Sequence, residues 1–414
     1  MYDLCVIGGG AAGISCAIAA GRCGKKVLLL EKNNKLGKKL YATGNGKCNL
    51  TNSDFQIEKH FNSNDKDYVR FIETALDNAY NTKEPMEQII DLMESIGINT
   101  TNNNNYIYPS SSQASSVVWA MIDELKQCNV EILLNSKVLS ITGKYPHFEI
   151  KCENEAFKAL NVVLSNGGQA YKSLGGTTWG YTLAKNFGHS IVDIRPSLCG
   201  LCVEEDLSDI AGVRADATIH LKDNAGNTIT TSQGELQLTK QGLSGICIFE
   251  ISSKAGELIY NNISSKIQIS FLDNKAFQTL LNIIDGKKYG ERTVIGLLNG
   301  FVNDKLAAYV CKLHNIDGKS KAKDLSSKEL LKLTTTLNNM IFNVVSLYDM
   351  EQAQVTAGGV NIKEVNSNTM ESKIVKGLYI VGELLDIDGI CGGYNLTFAM
   401  LSGYKAGKSI YDKN

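Results

Sequence analysis

The sequence predicts an α/β fold that begins with a strand–helix–strand unit. Residues Tyr2 to Ile7 form a short apolar run, as a buried parallel strand requires. The glycine-rich turn from Gly8 to Gly13 follows, and the small residues from Ala11 to Cys23 suit a helix that ends at Gly24. A second apolar strand is predicted from Lys26 to Leu30. Together these elements form a βαβ unit of about 30 residues, the usual length of that motif.

Size and composition limit the class of protein. The 414 residues exceed what one hydrophobic core usually holds and predict about two or three domains. Hydrophobic residues make up 43% and charged residues 21%, which is typical of a globular protein. The formal net charge of -1 gives no general attraction to nucleic acid. We therefore expect a small-molecule substrate and no nucleic-acid partner.

Neither a secretory signal nor a membrane segment is expected at the N-terminus. No basic residue precedes the first apolar stretch, and glycines interrupt the uncharged run from Cys5 to Gly21. The 11 cysteines are odd in number and scattered, which predicts free thiols and a cytoplasmic location. The five histidines show no ligand spacing, so no metal site is predicted.

Gly8, Gly10 and Gly13 form a GxGxxG motif between the first predicted strand and helix. Gly8 permits the tight turn, Gly10 lets the backbone approach a pyrophosphate, and Gly13 lets the helix pack close to the strand. The helix N-terminus offers N–H groups to the phosphates. Glu31, which ends the second strand, can accept hydrogen bonds from ribose hydroxyls and would repel a 2′-phosphate. The motif predicts a site for FAD or NAD and does not choose between them.

Two further segments favour FAD over NAD. Residues Thr43 to Asn52 form a polar loop rich in glycine and amide side chains. Near the C-terminus, Glu383 can accept a hydrogen bond from a ribitol hydroxyl, and the helix N-terminus at Tyr394 and Asn395 can face the pyrimidine edge of a flavin. NAD has no ribitol and no ring that needs this support. A dehydrogenase with a single NAD domain is the alternative, and it leaves the C-terminal segment unexplained.

These motifs resemble those of the BaiN/YhiN-like flavoproteins, which are NAD(P)/FAD-dependent oxidoreductases of the two-dinucleotide-binding type. The resemblance spans nearly the whole chain. It rests on VIGGGAAGISCA, TGNGKCNLTN, YPSSSQASSV, GELQLTKQGLSGI, VTAGGV and the long segment GLYIVGELLDIDGICGGYNLTFAMLSGYKAG.

The resemblance implies a Rossmann-like, discontinuous FAD-binding domain with an inserted β-barrel-like domain that carries a helical insert. The expected boundaries are 1–194 and 355–414 for the FAD-binding domain, 195–272 and 338–354 for the inserted β domain, and 273–337 for the helical insert. The residue pattern agrees, since turn-rich alternating segments predict antiparallel strands from Gly200 to Ser252 and helices are predicted from Lys275 to Leu337. The Asn-rich segment from Asn99 to Asn105 predicts an exposed loop.

The resemblance also implies a set of FAD contacts drawn from both ends of the chain. By position these are Gly8, Gly10, Ala12, Gly13, Glu31, Lys32, Asn45, Gly46, Cys48, Asn49, Val138, Gly382, Glu383, Asp388, Gly393, Asn395 and Leu396. The chain departs from the family where Lys47 replaces the more usual arginine and where Lys240 stands at a position that is often histidine.

The activity implied by the resemblance is NAD(P)H-dependent reduction of a conjugated C=C bond in an organic substrate such as a steroid-like enone. No second GxGxxG follows a strand, so NAD(P)H is expected to bind only transiently as electron donor. Tyr394 is a candidate proton donor, or it only shapes the pocket. Cys48 and Cys391 are either reactive thiols or small packing residues. The alternative function is that of a flavin-binding module in RNA modification or redox sensing, without NAD(P)H reductase activity.

Overall fold

The computed structural model describes residues 1–82 and 84–411, and the chain divides into two compact units. The first, called unit 1, comprises Met1–Arg195 and Gln354–Asn414, and unit 2 comprises Pro196–Ala353. The strands are β1 (Tyr2–Ile7), β2 (Val27–Leu30), β3 (Thr51–Asn52), β4 (Phe61–Asn62), β5 (Thr100–Asn103), β6 (Tyr106–Pro109), β7 (Glu131–Leu133), β8 (Val138–Lys144), β9 (His147–Cys152), β10 (Ala156–Leu164), β11 (Ile191–Ser197), β12 (Leu201–Val203), β13 (Arg214–Lys222), β14 (Thr228–Leu238), β15 (Gly242–Ser244), β16 (Ser265–Ser270), β17 (Met340–Leu347), β18 (Val355–Val360), β19 (Leu378–Ile380) and β20 (Asp388–Gly389). The helices are α1 (Ala11–Arg22), α2 (Ile57–His60), α3 (Tyr68–Leu76), α4 (Pro85–Ser95), α5 (Ala114–Gln127), α6 (Trp179–Asn186), α7 (Ile246–Tyr260), α8 (Asn274–Asp285), α9 (Val294–Leu298), α10 (Asp304–Leu313), α11 (Ser327–Leu337) and α12 (Tyr394–Tyr411).

Unit 1 is built on a seven-stranded sheet to which both ends of the chain contribute. The order is β7-β2-β1-β10-β9-β8, and β19 also pairs with β10. Strands β7, β2, β1, β10 and β19 are parallel, whereas β9 and β8 form an antiparallel extension. Strand β10 pairs with β9 through its first half and with β19 through Val162 to Leu164. The chain therefore returns to its first sheet after unit 2.

Helices α1 and α12 pack closely because small residues line their contact. A Cβ on Gly403 would overlap the Ala12 carbonyl oxygen, and one on Gly407 would overlap the Cys16 carbonyl oxygen. The near absence of side-chain volume lets the two backbones approach, and both helices are well buried, with Ala17 and Met400 completely inaccessible. This packing brings α12 against the helix of the glycine motif.

Unit 2 is a closed six-stranded barrel with helices. The strand order around the barrel is β12-β15-β14-β13-β16-β17, and every pairing is antiparallel. Helices α8 to α11 lie in the sequence between β16 and β17. The Rossmann-like sheet and the antiparallel barrel confirm the predicted fold class.

Two local predictions are wrong. The segment from Asn99 to Asn105 is largely exposed, but Thr100–Asn103 form strand β5, which pairs with β6 across a turn at Asn104 and Asn105. The β region predicted up to Ser252 ends earlier, because helix α7 begins at Ile246. The sequence ICIFEI is a short, mostly apolar run that a buried strand could also have, but Cys247, Ile248, Ile251 and Ala255 are buried at helical spacing. Among the described residues, no helix has the length and apolar character needed to cross a membrane.

Candidate functional site

The turn between β1 and α1 is tightly closed at two glycines and open at the third. Gly8 has φ +110°, and a Cβ there would lie 2.5 Å from the Ser165 carbonyl oxygen. A Cβ on Gly13 would overlap the Gly8 carbonyl oxygen. A Cβ on Gly10, by contrast, would meet no atom of the described residues within 4 Å. The open space beside Gly10 is what the approach of a pyrophosphate requires.

The N-terminus of α1 supplies hydrogen-bond donors at the same place. Gly10 is the N-cap, and within the described structure no side chain caps the helix. The first turn also lacks an acidic residue. Its backbone N–H groups and the positive end of the helix dipole are therefore suited to an anion.

Glu31 is buried and fixed on the glycine turn. Glu31 is only 7% exposed, and its Oε2 accepts a hydrogen bond from the backbone N–H of Gly9 at 2.7 Å. Oε1 accepts the backbone N–H of Asn33 at 2.8 Å and its side-chain amide at 2.6 Å. These donors hold the carboxylate beside the turn, at the end of β2, where a ribose hydroxyl can reach it.

Lys32 and Val138 are the two other residues predicted to contact this end of the cofactor. Lys32 follows Glu31 and is exposed, and partial desolvation lowers the pKa of its ammonium group. Val138 is buried, and its carbonyl oxygen accepts the indole N–H of Trp179 at 2.7 Å. The N–H of Ser136 donates to the Glu31 carbonyl oxygen at 2.8 Å, so the segment that leads into β8 lies against the end of β2.

The loop from Thr43 to Asn52 has an unusual backbone. Asn45 and Cys48 have φ of 53° and 59°, and the glycines between and beside them are also left-handed. Asn45 and Gly46 are exposed, whereas Cys48 is completely buried. Burial raises the pKa of the Cys48 thiol to about 11, which suits a packing residue rather than a reactive thiolate. The side-chain oxygen of Asn49 is buried without a hydrogen-bond partner in the described part of the chain.

The C-terminal glycines contact this N-terminal loop directly. A Cβ on Gly393 would lie 2.8 Å from the backbone of Thr51, and the amide of Asn52 donates to the Gly392 carbonyl oxygen at 3.3 Å. The hydroxyls of Thr397 and Thr51 are 2.8 Å apart. The two segments that sequence reasoning assigned to one cofactor therefore adjoin each other.

Asn395 holds the C-terminal loop in shape. Its Oδ1 accepts the Gly389 N–H at 2.8 Å, and its Nδ2 donates to the Gly389 carbonyl oxygen at 2.7 Å. Asp388 and Gly389 form β20, which pairs with β4. Asp388 is 2% exposed and Leu396 is 9% exposed. The amide of Asn395 thus positions the loop at the start of α12.

Glu383 lies where both ends of unit 1 converge. Both carboxylate oxygens accept from Nζ of Lys39, at 3.0 and 2.9 Å, and Oε1 also accepts the Thr356 N–H at 3.0 Å. The preceding residue, Gly382, has φ +69°, and a Cβ there would lie 2.8 Å from that of Ala12. Glu383 is therefore held close to the first turn of α1.

Tyr394 lies in an aromatic cluster at the start of α12. It is 3% exposed, and its hydroxyl donates to the Asp54 carbonyl oxygen at 2.8 Å. The ring stacks on His60 at a centroid distance of 4.3 Å and contacts Phe55 and Phe61. Burial lowers the pKa of His60, so the stacked ring is neutral near pH 7.

The residues present fit FAD by their chemistry. The open space at Gly10, the donors of α1, the fixed carboxylate of Glu31 and the buried, unpartnered oxygen of Asn49 match a pyrophosphate, a ribose and a polar ring. Sequence reasoning missed Lys39 and Thr356, because a lysine pair in a polar loop and a threonine in a buried strand carry no local signal. Only the fold shows that both contact Glu383.

This fold and this site define an FAD-dependent oxidoreductase of the Rossmann type. The chain belongs to the HI0933-like family, whose sequence profile, described as the HI0933-like protein Rossmann domain, matches residues 2–409. The predicted resemblance is thereby confirmed.

Characterised relatives match the chain over its full length. It is 34% identical over 423 aligned positions to a 3-dehydro-bile acid delta(4,6)-reductase of Clostridium scindens, with 100% of both chains covered. It is 27% identical to a ribosomal RNA dihydrouridine synthase of Escherichia coli K12, with 99% of this chain and 98% of the relative covered. The fold is similar to that of a 3-ketosteroid delta1-dehydrogenase from Sterolibacterium denitrificans (TM-score 0.51, 12% identity, 100% of both chains).

Proposed function

We propose that this protein is an NAD(P)H-dependent reductase that uses FAD to reduce a conjugated C=C bond in a small organic enone. The observation that carries the proposal is the 34% identity, over the whole of both chains, to a reductase whose name specifies a bile-acid double bond. The FAD-fitting site adds support, because hydride transfer to such a bond needs a two-electron cofactor.

The chain's own residues would hold the cofactor at three places. The turn at Gly8, Gly10 and Gly13 with Ala12 would bind the pyrophosphate, and Glu31 with the adjoining Lys32 and Val138 would hold the adenosine. Glu383 would bind the ribitol. The remaining residues of the predicted set would surround the ring from two adjoining loops: Asn45, Gly46, Cys48, Asn49, Gly382, Asp388, Gly393, Asn395 and Leu396.

Bound FAD supplies a hydride donor and acceptor. The positive end of α12 would support negative charge at the pyrimidine side of the ring, an effect of roughly 0.3–2 kcal/mol. The hydroxyl of Tyr394 is already donated to the Asp54 carbonyl oxygen, and its ring is buried in the aromatic cluster. This geometry favours the interpretation in which Tyr394 shapes the pocket and water or another group gives the proton to the substrate carbon.

The alternative is a role in RNA modification. It is favoured by the full-length similarity to ribosomal RNA dihydrouridine synthases, although at 27% and 26% identity. Reduction of uridine is also reduction of a conjugated C=C bond, so the flavin site does not separate the two substrates. The net charge of -1 favours the small molecule, since RNA binding depends on neutralising phosphates. We also propose a cytoplasmic location, which rests on the 11 cysteines that remain free thiols in the described structure.

The test is anaerobic reduction followed by reoxidation. Purified protein should show flavin absorption bands that bleach on addition of NADH or NADPH, and steroid-like enones should restore them. Uridine-containing ribosomal RNA fragments serve as the competing substrate in the same assay. Bleaching by neither nucleotide would contradict the proposed donor, and reoxidation by RNA but by no enone would favour RNA modification.

A further inference from the structure

The ion pair between Lys39 and Glu383 joins two parts of unit 1 that are 344 residues apart in sequence. Lys39 follows β2 and precedes the loop at Thr43, whereas Glu383 follows β19. Lys39 Nζ lies 3.0 and 2.9 Å from the two carboxylate oxygens, so it contacts both at once. Their side chains are 32% and 18% exposed, which makes the pair partly buried. Within the described residues, Lys39 is the only cation found in an ion pair with Glu383.

Space for a ligand adjoins this carboxylate. Gly167 has φ +71°, and the only atom of the described residues within 4 Å of a Cβ there is Glu383 Oε2, at 3.7 Å. Nearby, the side-chain oxygen of Asn166 is buried and has no hydrogen-bond partner in the described chain. Oε2 therefore faces open space that a hydroxyl-bearing group can enter, while Oε1 is bound by Thr356.

A carboxylate in this position is stabilised by a cation, because the Glu383 side chain is only 18% exposed and is partly removed from water. Lys39 provides that cation at 2.9 Å.

We propose that Lys39 is a positioning residue for FAD, which orients the Glu383 carboxylate towards the ribitol hydroxyls. This inference rests on the proposed function, in which Glu383 binds the ribitol. Lys39 acts through Glu383, with no contact to the reacting atoms required. Removing its ammonium group frees the carboxylate to rotate and leaves its charge unbalanced, so FAD binds more weakly.

The experiment measures the affinity of apoprotein for FAD by quenching of flavin fluorescence. Lys39→Met should raise the dissociation constant roughly ten-fold, because truncating one partner of a desolvated charge pair commonly costs at least that much. Lys39→Arg, which keeps the charge, should restore most of the affinity. Lys38→Met is the matched control in the same loop and should bind as wild type does.

A double-mutant cycle separates positioning from a direct contact between Lys39 and FAD. If Lys39 acts through Glu383, adding Lys39→Met to Glu383→Gln should weaken binding no further than Glu383→Gln alone. Additive losses would overturn the proposal. Should Lys39→Met unfold the protein, the double variant, in which neither charge remains, provides the same comparison against Glu383→Gln.

The outcomes also distinguish this inference from the proposed function. Wild-type affinity in Lys39→Met, together with weak binding in Glu383→Gln, would refute the role of Lys39 and leave the FAD site intact. A wild-type protein that binds no FAD would refute the proposed function itself.

Discussion

A methyl group at Gly10 should abolish tight FAD binding without harming the fold. Gly10 has φ -83° and ψ -173°, which any residue can adopt, and a Cβ there would meet no described atom within 4 Å. Gly10→Ala therefore introduces neither a clash nor a strained backbone. Its methyl group would occupy the space through which a phosphate must approach the N–H groups of α1.

Gly10→Ala should change the affinity for FAD much more than it changes the free energy of unfolding. Alanine reduces the conformational freedom of the unfolded chain, which stabilises the folded protein by roughly 0.4–1 kcal/mol. Alanine is also a poorer N-cap than glycine, which costs a similar amount. The free energy of unfolding should therefore hardly change. If the methyl group displaces the phosphate from one backbone N–H, a hydrogen bond from that N–H to a charged acceptor is lost, which costs about 1.5–3 kcal/mol of binding free energy. That loss corresponds to a dissociation constant for FAD raised roughly 10- to 150-fold.

The assay pairs FAD titration of the apoprotein with chemical denaturation. Gly300→Ala is the control, because the only described atom near a Cβ there is the Leu297 carbonyl oxygen at 3.7 Å. Its affinity for FAD should stay at the wild-type value, and its free energy of unfolding should rise by no more than roughly 1 kcal/mol. Gly13→Ala should instead lower stability, since its Cβ overlaps the Gly8 carbonyl oxygen. A Gly10→Ala protein that binds FAD normally would refute the assignment of the pyrophosphate to this turn.

Three further outcomes are expected. Gly403→Val should destabilise the protein by more than about 2 kcal/mol in urea denaturation and weaken FAD binding, because the valine side chain would displace Ala12. An unchanged urea midpoint would contradict the close packing of α1 and α12. Burial lowers the pKa of His189 in the folded state, so on acidification the unfolded state binds a proton first. The contribution of His189 to the free energy of unfolding should therefore be complete above about pH 6.5. It should fall towards pH 5 by up to about 1.4 kcal/mol per pH unit. Urea titrations at each pH should show a flatter dependence in His189→Asn, and stabilisation of the wild type by acid would refute the sign. Tyr394→Phe should keep kcat within a few-fold, because the hydroxyl is engaged by Asp54; a hundred-fold fall in single-turnover reoxidation would make Tyr394 the proton donor.

The parts of the site that sequence reasoning found are those whose chemistry is local. Gly8, Gly10 and Gly13 lie within six residues of one another, and their spacing alone defines the turn that the structure shows. Glu31 is recognisable because it ends a strand at a fixed distance from that turn. The same locality explains why the βαβ unit is predicted almost residue by residue, as α1 runs from Ala11 to Arg22.

What sequence reasoning missed depends on tertiary contacts. Helix α7 begins with a short apolar run that fits a strand or a helix equally well, and only its packing in unit 2 selects the helical periodicity. Strand β5 joins two threonines, which favour strands, to two asparagines, which do not, and its pairing with β6 outweighs the turn preference of the asparagines. Asn395 was expected to face a cofactor, and the structure shows in addition that its amide holds Gly389 at both backbone atoms.

The return of the chain to its first sheet explains why both ends are needed for one site. Strand β19 continues the edge of β10 at the place where β9 ends, so Glu383 emerges beside the glycine turn. Helix α12 can then reach α1 only because Gly403 and Gly407 allow the backbones to touch, and its N-terminal loop meets Thr51. Each contact is made by residues hundreds of positions apart, and each requires a small or exactly placed side chain. A cofactor bound by this arrangement would therefore contribute to the stability of the sheet as well as to chemistry, since it would bridge segments that the sequence keeps far apart.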